Sequence, residues 1–177
     1  MTKKYALLVM VLFLFGISCS KTYESITGTV VDAETGKPLE GAVVLAEWTK
    51  TKGLGLTYTE SYKVVEVVTD KEGKFTISGV MSPLVDPPSV TIYKKGYVAW
   101  NNNYIFPGYQ KREDFSWRSG YVFKMNHFKK GYSYEAHVSF IRMSINSSIN
   151  SKSKRTIQKA FDWETDMAQQ EMARQGR

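Results

Sequence analysis

His127 and His137 are the only two histidines in the chain, and neither has a cysteine or second imidazole at the spacing a metal site needs. Glu135 precedes His137 by two positions near the start of a predicted helix, which aims the two side chains in different directions rather than along one face. Both histidines therefore read as packed or surface residues. Asp162, Glu164 and Asp166 form an acidic cluster whose outer pair is spaced i, i+4, a separation at which two carboxylates can share a hard cation. The more ordinary reading is a solvated helix face that offsets Lys152, Lys154, Arg155 and Lys159 upstream. Gly53-Leu54-Gly55 is too short for a phosphate-cradling loop, and no Gly-Lys-Ser follows it. Asn146-Ser147-Ser148 matches a glycosylation sequon, a pattern short enough to arise readily by chance. Together these residues supply no catalytic constellation, no metal site and no cofactor loop.

The remaining reactive side chain is the sole cysteine, Cys19. Lys3 and Lys4 are followed by an unbroken apolar run from Tyr5 to Ile17, then by Ser18, Cys19 and a polar sequel. That order is a secretory signal pattern, and the run falls short of the roughly 20 residues a membrane-spanning helix needs. Around the cysteine the segment resembles a bacterial lipoprotein signal. Ile17 and Ser18 fit the two positions before the acylated cysteine, while Gly16 stands where leucine is usual. The resemblance implies a signal peptide over residues 1–18, acylation of Cys19 and a lipidated tether over 19–24. A membrane is then the first partner, and no thiol is left for a disulfide. One acyl chain holds a protein only marginally; lipoproteins of this class carry up to three. A buried free cysteine and a plain cleaved signal are the two competing readings. The chain is expected to be exported and membrane-anchored, facing the periplasm or cell surface, in the outer membrane if the host is Gram-negative.

The chain of 177 residues carries 24 Lys and Arg against 17 Asp and Glu, a formal charge of +7. Loss of Lys3 and Lys4 with the signal lowers that excess. The rest is spread along the sequence, densest from Lys152 to Arg155, and reads as a solvated surface. Nucleic acid is not expected as a partner of an exported protein. The length suits one domain with a full core and an appendage.

Positioning elements follow from the hydropathy pattern. From Ser25 to Trp100 apolar residues alternate and turn signals recur at short spacing, which predicts an all-β unit. The candidate strands are Ser25 to Val31, Ala42 to Trp48, Tyr62 to Thr69, Lys74 to Val80, Ser89 to Tyr93, Tyr97 to Trp100 and Tyr121 to Met125. Seven short strands predict a sandwich. In the first turn Asp32 can accept hydrogen bonds from the loop backbone, Gly36 supplies a positive φ, Pro38 stiffens the return and Gly41 lets the next strand start against a close neighbour. Asp70 and Gly73 mark a hairpin that delivers Phe75 inward.

At these residues the chain resembles the carboxypeptidase regulatory-like domain, of the transthyretin-like group of β-sandwiches. The matching motifs are Gly28-Thr29-Val30-Val31-Asp32, Thr35-Gly36-Lys37-Pro38-Leu39-Glu40-Gly41-Ala42, Thr69-Asp70-Lys71-Glu72-Gly73-Lys74-Phe75, and a strand leading into Gly96-Tyr97. The resemblance implies a mainly β, transthyretin-like or Ig-like seven-stranded sandwich over 25–130, and the hydropathy pattern beyond it adds a helical extension over 131–177. It implies no catalysis, because the motifs build turns. Zinc carboxypeptidases carry this module beside a catalytic domain that this sequence does not contain. Hydroxyisourate hydrolases of the same fold use His and Arg residues and a Tyr-Arg-Gly-Ser ending, whereas this chain lacks that ending and has no His before residue 127. Sandwiches with Lys to Asn cross-links need a lysine where Val30 stands.

Asn101 to Gly120 is predicted to be a long loop whose aromatics cap the core or form a binding surface. Beyond it, Tyr134, Val138, Ile141 and Ile145 fall at helical spacing behind Ser133, a candidate N-cap. A Ser and Asn run, 146–153, precedes a second helix from Thr156 to about Gln175 with an apolar stripe of Ile157, Phe161, Ala168 and Met172. Its charged remainder predicts that residues 151–177 are separable from the sandwich and serve a contact; the competing reading is a helix that docks on its own sandwich. The expected function is a non-catalytic, lipid-anchored envelope protein whose sandwich binds or scaffolds another envelope component. The alternative is a carbohydrate-binding module that stacks sugars on Trp48, Trp100 and Trp117.

Overall fold

The computed structural model describes residues 22–23, 25–82, 84–145 and 155–176. The signal segment, Cys19, the Ser and Asn run, its sequon, Lys152 and Lys154 lie outside them. In chain order the strands are β1 (Thr22–Tyr23), β2 (Ile26–Asp32), β3 (Val43–Lys52), β4 (Tyr58–Val68), β5 (Lys74–Ile77), β6 (Val80–Met81), β7 (Ser89–Tyr93), β8 (Trp100–Asn101), β9 (Tyr104–Ile105), β10 (Gln110–Lys111) and β11 (Tyr121–Met125), followed by helices α1 (Tyr134–Ser144) and α2 (Arg155–Arg174).

Two sheets form the sandwich. One is three-stranded in the order β11-β2-β5 and the other four-stranded in the order β4-β3-β7-β8. Every predicted strand contributes to one of these sheets, so the mainly β fold is as the sequence implies. Differences lie at the ends. The Lys74 to Val80 segment divides into β5 and β6, and Tyr97 makes only a single bridge, to His127. The β3–β4 hairpin extends to Lys52 and Tyr58, since Thr and Tyr suit extended backbone even where no core is available.

The space between the sheets is filled by Val30, Trp48, Ile77, Ile92, Trp100 and Phe123, all buried. A second core lies on the outer face of the four-stranded sheet, where Val43, Leu45 and Tyr93 meet Phe140, Ile141, Ile157 and Phe161 of the helices. The molecule is therefore three layers, sheet on sheet on helices. This explains the unbroken apolar run at Val43-Val44-Leu45-Ala46. Residues 43–48 of β3 are buried on both faces, the pattern of a strand covered on each side.

The separable C-terminal helix expected from the sequence is not what the structure holds. Ile157, Phe161, Glu164 and Ala168 of α2 are buried. Glu66 of β4 accepts hydrogen bonds from the Thr156 and Ile157 backbone N–H groups, both at 3.0 Å, placing a carboxylate at the positive end of the helix. The Glu171 carboxylate of α2 in turn accepts from the Ser133 hydroxyl (2.8 Å) and the Glu135 N–H (3.0 Å), at the start of α1. Ser133 is the N-cap, accepting from the Ala136 N–H. Each helix start is thus held by a glutamate from another element, and α2 belongs to the folded unit.

Gly36, Gly41 and Gly73 have φ of 69, 71 and 70°. At Gly36 a Cβ would meet open space, whereas at Gly73 it would run into the Val30 carbonyl oxygen. Gly36→Ala should therefore lower unfolding free energy by the left-handed backbone cost alone, about 1–2 kcal/mol. Gly73→Ala should cost clearly more, because backbone must move as well. Equal losses in denaturant unfolding would contradict this account of the two turns.

Candidate functional site

Two polar clusters gather the chemically capable residues. The first is built on Asp32, at the end of β2 where the chain leaves the sheet. Its Oδ1 accepts from the Glu34 N–H (2.9 Å), the Thr35 N–H (2.7 Å) and the Thr35 hydroxyl (3.0 Å). Its Oδ2 accepts from the Tyr97 hydroxyl at 2.9 Å and meets His127 Nε2 at 2.7 Å. The Tyr97 and His127 rings stack with centroids 4.5 Å apart. The Thr35 N–H above all holds the Asp32 carboxyl well below the usual carboxylate range; burial opposes it, and the Tyr97 hydroxyl, Thr35 hydroxyl and Glu34 N–H add to it. Tyr97 is raised in turn, first by burial and then by Asp32. Every lone-pair direction of Asp32 is thus engaged in closing the first turn and pinning the β7–β8 connection to it.

Neighbouring turns work the same way. Thr69 Oγ1 accepts from the Ala42 N–H (2.8 Å) and donates to the Leu39 carbonyl (2.6 Å). Asp70 Oδ1 accepts from the Glu72 and Lys74 N–H groups at 3.0 and 2.7 Å. Pro38 makes a bridge to Val31, and the Lys94 ammonium donates to the Glu40 carbonyl beside Gly41. The six turn residues named from the sequence all stand in these turns.

The second cluster was not predicted. His137 on α1 and Glu164 on α2 are both buried, with Nδ1 and Oε2 2.6 Å apart. His137 Nε2 accepts from the Ala99 N–H at 2.9 Å, which puts the ring proton on Nδ1, donated to Glu164. The other oxygen, Oε1, accepts from the Tyr93 hydroxyl of β7 at 2.9 Å, and that hydroxyl accepts from Trp163 Nε1 at 2.8 Å. Burial first, then the Glu164 carboxylate, drives the Tyr93 hydroxyl far above its ordinary value, so it serves as a donor. The array superficially has the parts of a proton relay. Both imidazole nitrogens are occupied, one of them by a backbone donor, so no face of His137 is open to a reacting atom. The sequence reading of Glu164 as part of a solvated face is corrected here. Asp162 and Asp166 are exposed, while Glu164 points inward. The overlooked signal is its place between Phe161 and Ala168 on the apolar stripe. Likewise His137 sits between Tyr134 and Ile141 at i−3 and i+4.

The proposed sugar platform does not form. Trp48 is 0% and Trp100 6% exposed, inside the sandwich, and only Trp117 reaches solvent, at 40%. Within the long loop Phe106 is buried in the helix-side core and Phe115 lies edge-on to Trp100 at 5.3 Å, while Tyr104, Tyr109 and Trp117 are exposed. Surface pockets of about 380 Å³, between Tyr132 and Met167, and about 210 Å³, between Asn102 and Arg112, contain neither histidine. Among the described residues no group of three or more His, Cys, Asp or Glu side chains is placed to hold a metal.

A carboxypeptidase regulatory-like domain model matches residues 25–117, more than half the chain. The chain belongs to the carboxypeptidase regulatory-like domain family. The match ends just before β11, which this regulatory-like domain uses to complete its smaller sheet by pairing in parallel with β2, Tyr121 opposite Gly28 and Met125 opposite Asp32. No curated protein matches the sequence. A solved structure described as "Structure of the Streptococcal ancillary pilin" aligns at 20% identity and a TM-score of 0.31, over 60% of this chain and 30% of its own length. The chain thus spans less than a third of that protein.

Two expectations follow from the clusters. Because the folded-state value of Asp32 is depressed, its stabilisation is complete above the unfolded carboxylate value of about 3.9 and drains away as pH falls through the folded value. Asp32→Asn should therefore lower the melting temperature at neutral pH, and its gap to wild type should narrow below about pH 4. A gap independent of pH would contradict the assignment. Glu164→Ala strands two buried donors, on Tyr93 and His137, and should cost about 2–5 kcal/mol of unfolding free energy, with Glu164→Gln milder. A change within about 0.5 kcal/mol, the range of ordinary surface substitutions, would refute the role given to this carboxylate.

Proposed function

We propose that this regulatory-like domain is a non-catalytic, lipid-anchored protein of the cell envelope whose sandwich binds or scaffolds another envelope component. The observation that carries this reading is that the buried titratable side chains of both clusters are spent on internal hydrogen bonds, leaving surfaces rather than a reaction centre. The signal pattern ending at Cys19 supports the anchor, and no helix among the described residues is long and apolar enough to cross a membrane. Attachment therefore falls to acylation, with the domain facing the periplasm or the cell surface.

Strand β4 offers a contact surface. Among the described residues it has a strand neighbour only on the β3 side, and an eleven-residue edge presents backbone groups to which a partner strand can add. Burial of Trp48 and Trp100 weighs against carbohydrate stacking.

Cys19→Ser should abolish incorporation of labelled fatty acid and leave the protein soluble or uncleaved. Capture of wild type from detergent-solubilised envelope should retain a partner that an unrelated lipoprotein does not. Continued labelling and membrane retention of the variant would overturn the anchor.

A further inference from the structure

Among the described residues, the four most exposed large apolar side chains are not scattered. Leu54 and Leu56, at the tip of the β3–β4 hairpin, are 105% and 92% exposed, and Met81 and Leu84 are 72% and 71% exposed. Backbone pairing puts all four at one end of the sandwich. Thr22 and Tyr23 of β1 pair with Met81 and Val80 of β6. The Lys63 ammonium of β4 donates to the Gly79 carbonyl just before β6. Val85 bridges Lys50, and the Asp86 N–H donates to the Thr49 carbonyl, tying the 79–86 segment across the base of the hairpin. At the opposite end, where β2 finishes and β3 begins, the turns expose charged residues instead, among them Glu34, Lys37, Lys71 and Glu72.

The described chain begins at the apolar end. Cys19 precedes Thr22 by three residues, and an extended chain advances at most about 3.6 Å per residue, so Cys19 lies within about 11 Å of Thr22. We propose that the Leu54, Leu56, Met81 and Leu84 end of the domain rests in the lipid surface to which Cys19 is attached, with the hairpin tip as a second, non-covalent foot. This rests on acylation of Cys19 as proposed above. The flanking chemistry suits a bilayer interface. Tyr58 and Tyr62 are exposed beside the leucines, the Lys50 ammonium sits 3.8 Å over the Tyr62 ring, and Lys52 pairs with Glu60. Tyrosines and lysines ringing an apolar tip are the side chains that occupy the headgroup level. Large leucines left fully in water on a soluble surface are otherwise unaccounted for. The short tether delivers a bilayer to this end before any other partner can reach it, and the charged far end is turned outward.

The test uses the full chain, processed and lipidated in cells, purified in detergent and reconstituted into phosphatidylethanolamine and phosphatidylglycerol vesicles. Acylation consumes the only native thiol, so wild type should take up no thiol dye, and intact mass should show lipid on Cys19. Leu54→Cys, Leu84→Cys and, at the far end, Lys37→Cys each then carry one environment-sensitive dye. The expected result is blue-shifted emission at positions 54 and 84, strongly quenched by a nitroxide on the lipid, with position 37 unshifted and unquenched. Lipid on Cys19 with the dyes at 54 and 84 still in water would overturn this orientation while leaving the anchor intact. A blue shift without lipid quenching would mean that protein covers the end, a second copy or another chain, and would also overturn it. A free thiol at residue 19 would overturn the anchor itself, and the orientation with it.

Discussion

A carboxylate sealed inside a protein must find donors or destabilise the fold, and the Glu164 side chain, 1% exposed, imposes that requirement on three elements at once. β7 supplies the Tyr93 hydroxyl, α1 supplies His137 Nδ1, and the Ala99 N–H, between β7 and β8, fixes the imidazole that makes the donation. None of the three can shift without stranding the others. The apolar contacts of Ile157 and Phe161 hold α2 against the sheet without direction. Glu164 makes the docking specific in rotation and register. The helical layer is in this sense keyed to the sandwich, and Glu66 and Glu171 repeat the device at the two helix starts.

Asp32 does the corresponding work at the far end. Its oxygens receive five contacts from three segments that are distant in sequence, so the first turn, the β7–β8 connection and the chain just after β11 close together on the end of β2. Histidine beside carboxylate appears twice in this molecule. Each pair is a fastening that joins segments distant in sequence. The ends of the sandwich then divide their tasks, with charged, tightly bonded turns at one and an apolar hairpin with the N-terminal strand at the other.

The sandwich was legible because its signals are local. Thr35-Gly36-Lys37-Pro38 and Asp70-Lys71-Glu72-Gly73 fix turns whatever surrounds them, and Asp32 announces its role by standing two and three residues before the N–H groups it binds. The apolar run at Val43 was an overlooked signal, since only a strand covered on both faces hides Val43, Val44, Leu45 and Ala46 together. Long-range partners were not legible. Glu164 and Tyr93 meet across 71 residues, and a glutamate flanked by Asp162 and Asp166 looks solvated until its i−3 and i+4 neighbours are counted. Trp48 and Trp100 were offered as ligand platforms for a related reason: a tryptophan in an alternating strand faces core or solvent according to register alone, and both face the core.

The central claim is that buried acids lock three layers into one cooperative unit. Native-state hydrogen exchange tests it most directly, by comparing amides around Glu164 in α2 with those of Leu45 and Ala46 in β3 as denaturant is raised. The account predicts that both sets open through the same global event, with equal free energies and equal denaturant dependence. Exchange of the α2 amides through a lower-energy opening, with β3 still protected, would show that the helix is an appendage and that the Glu164 cluster locks nothing.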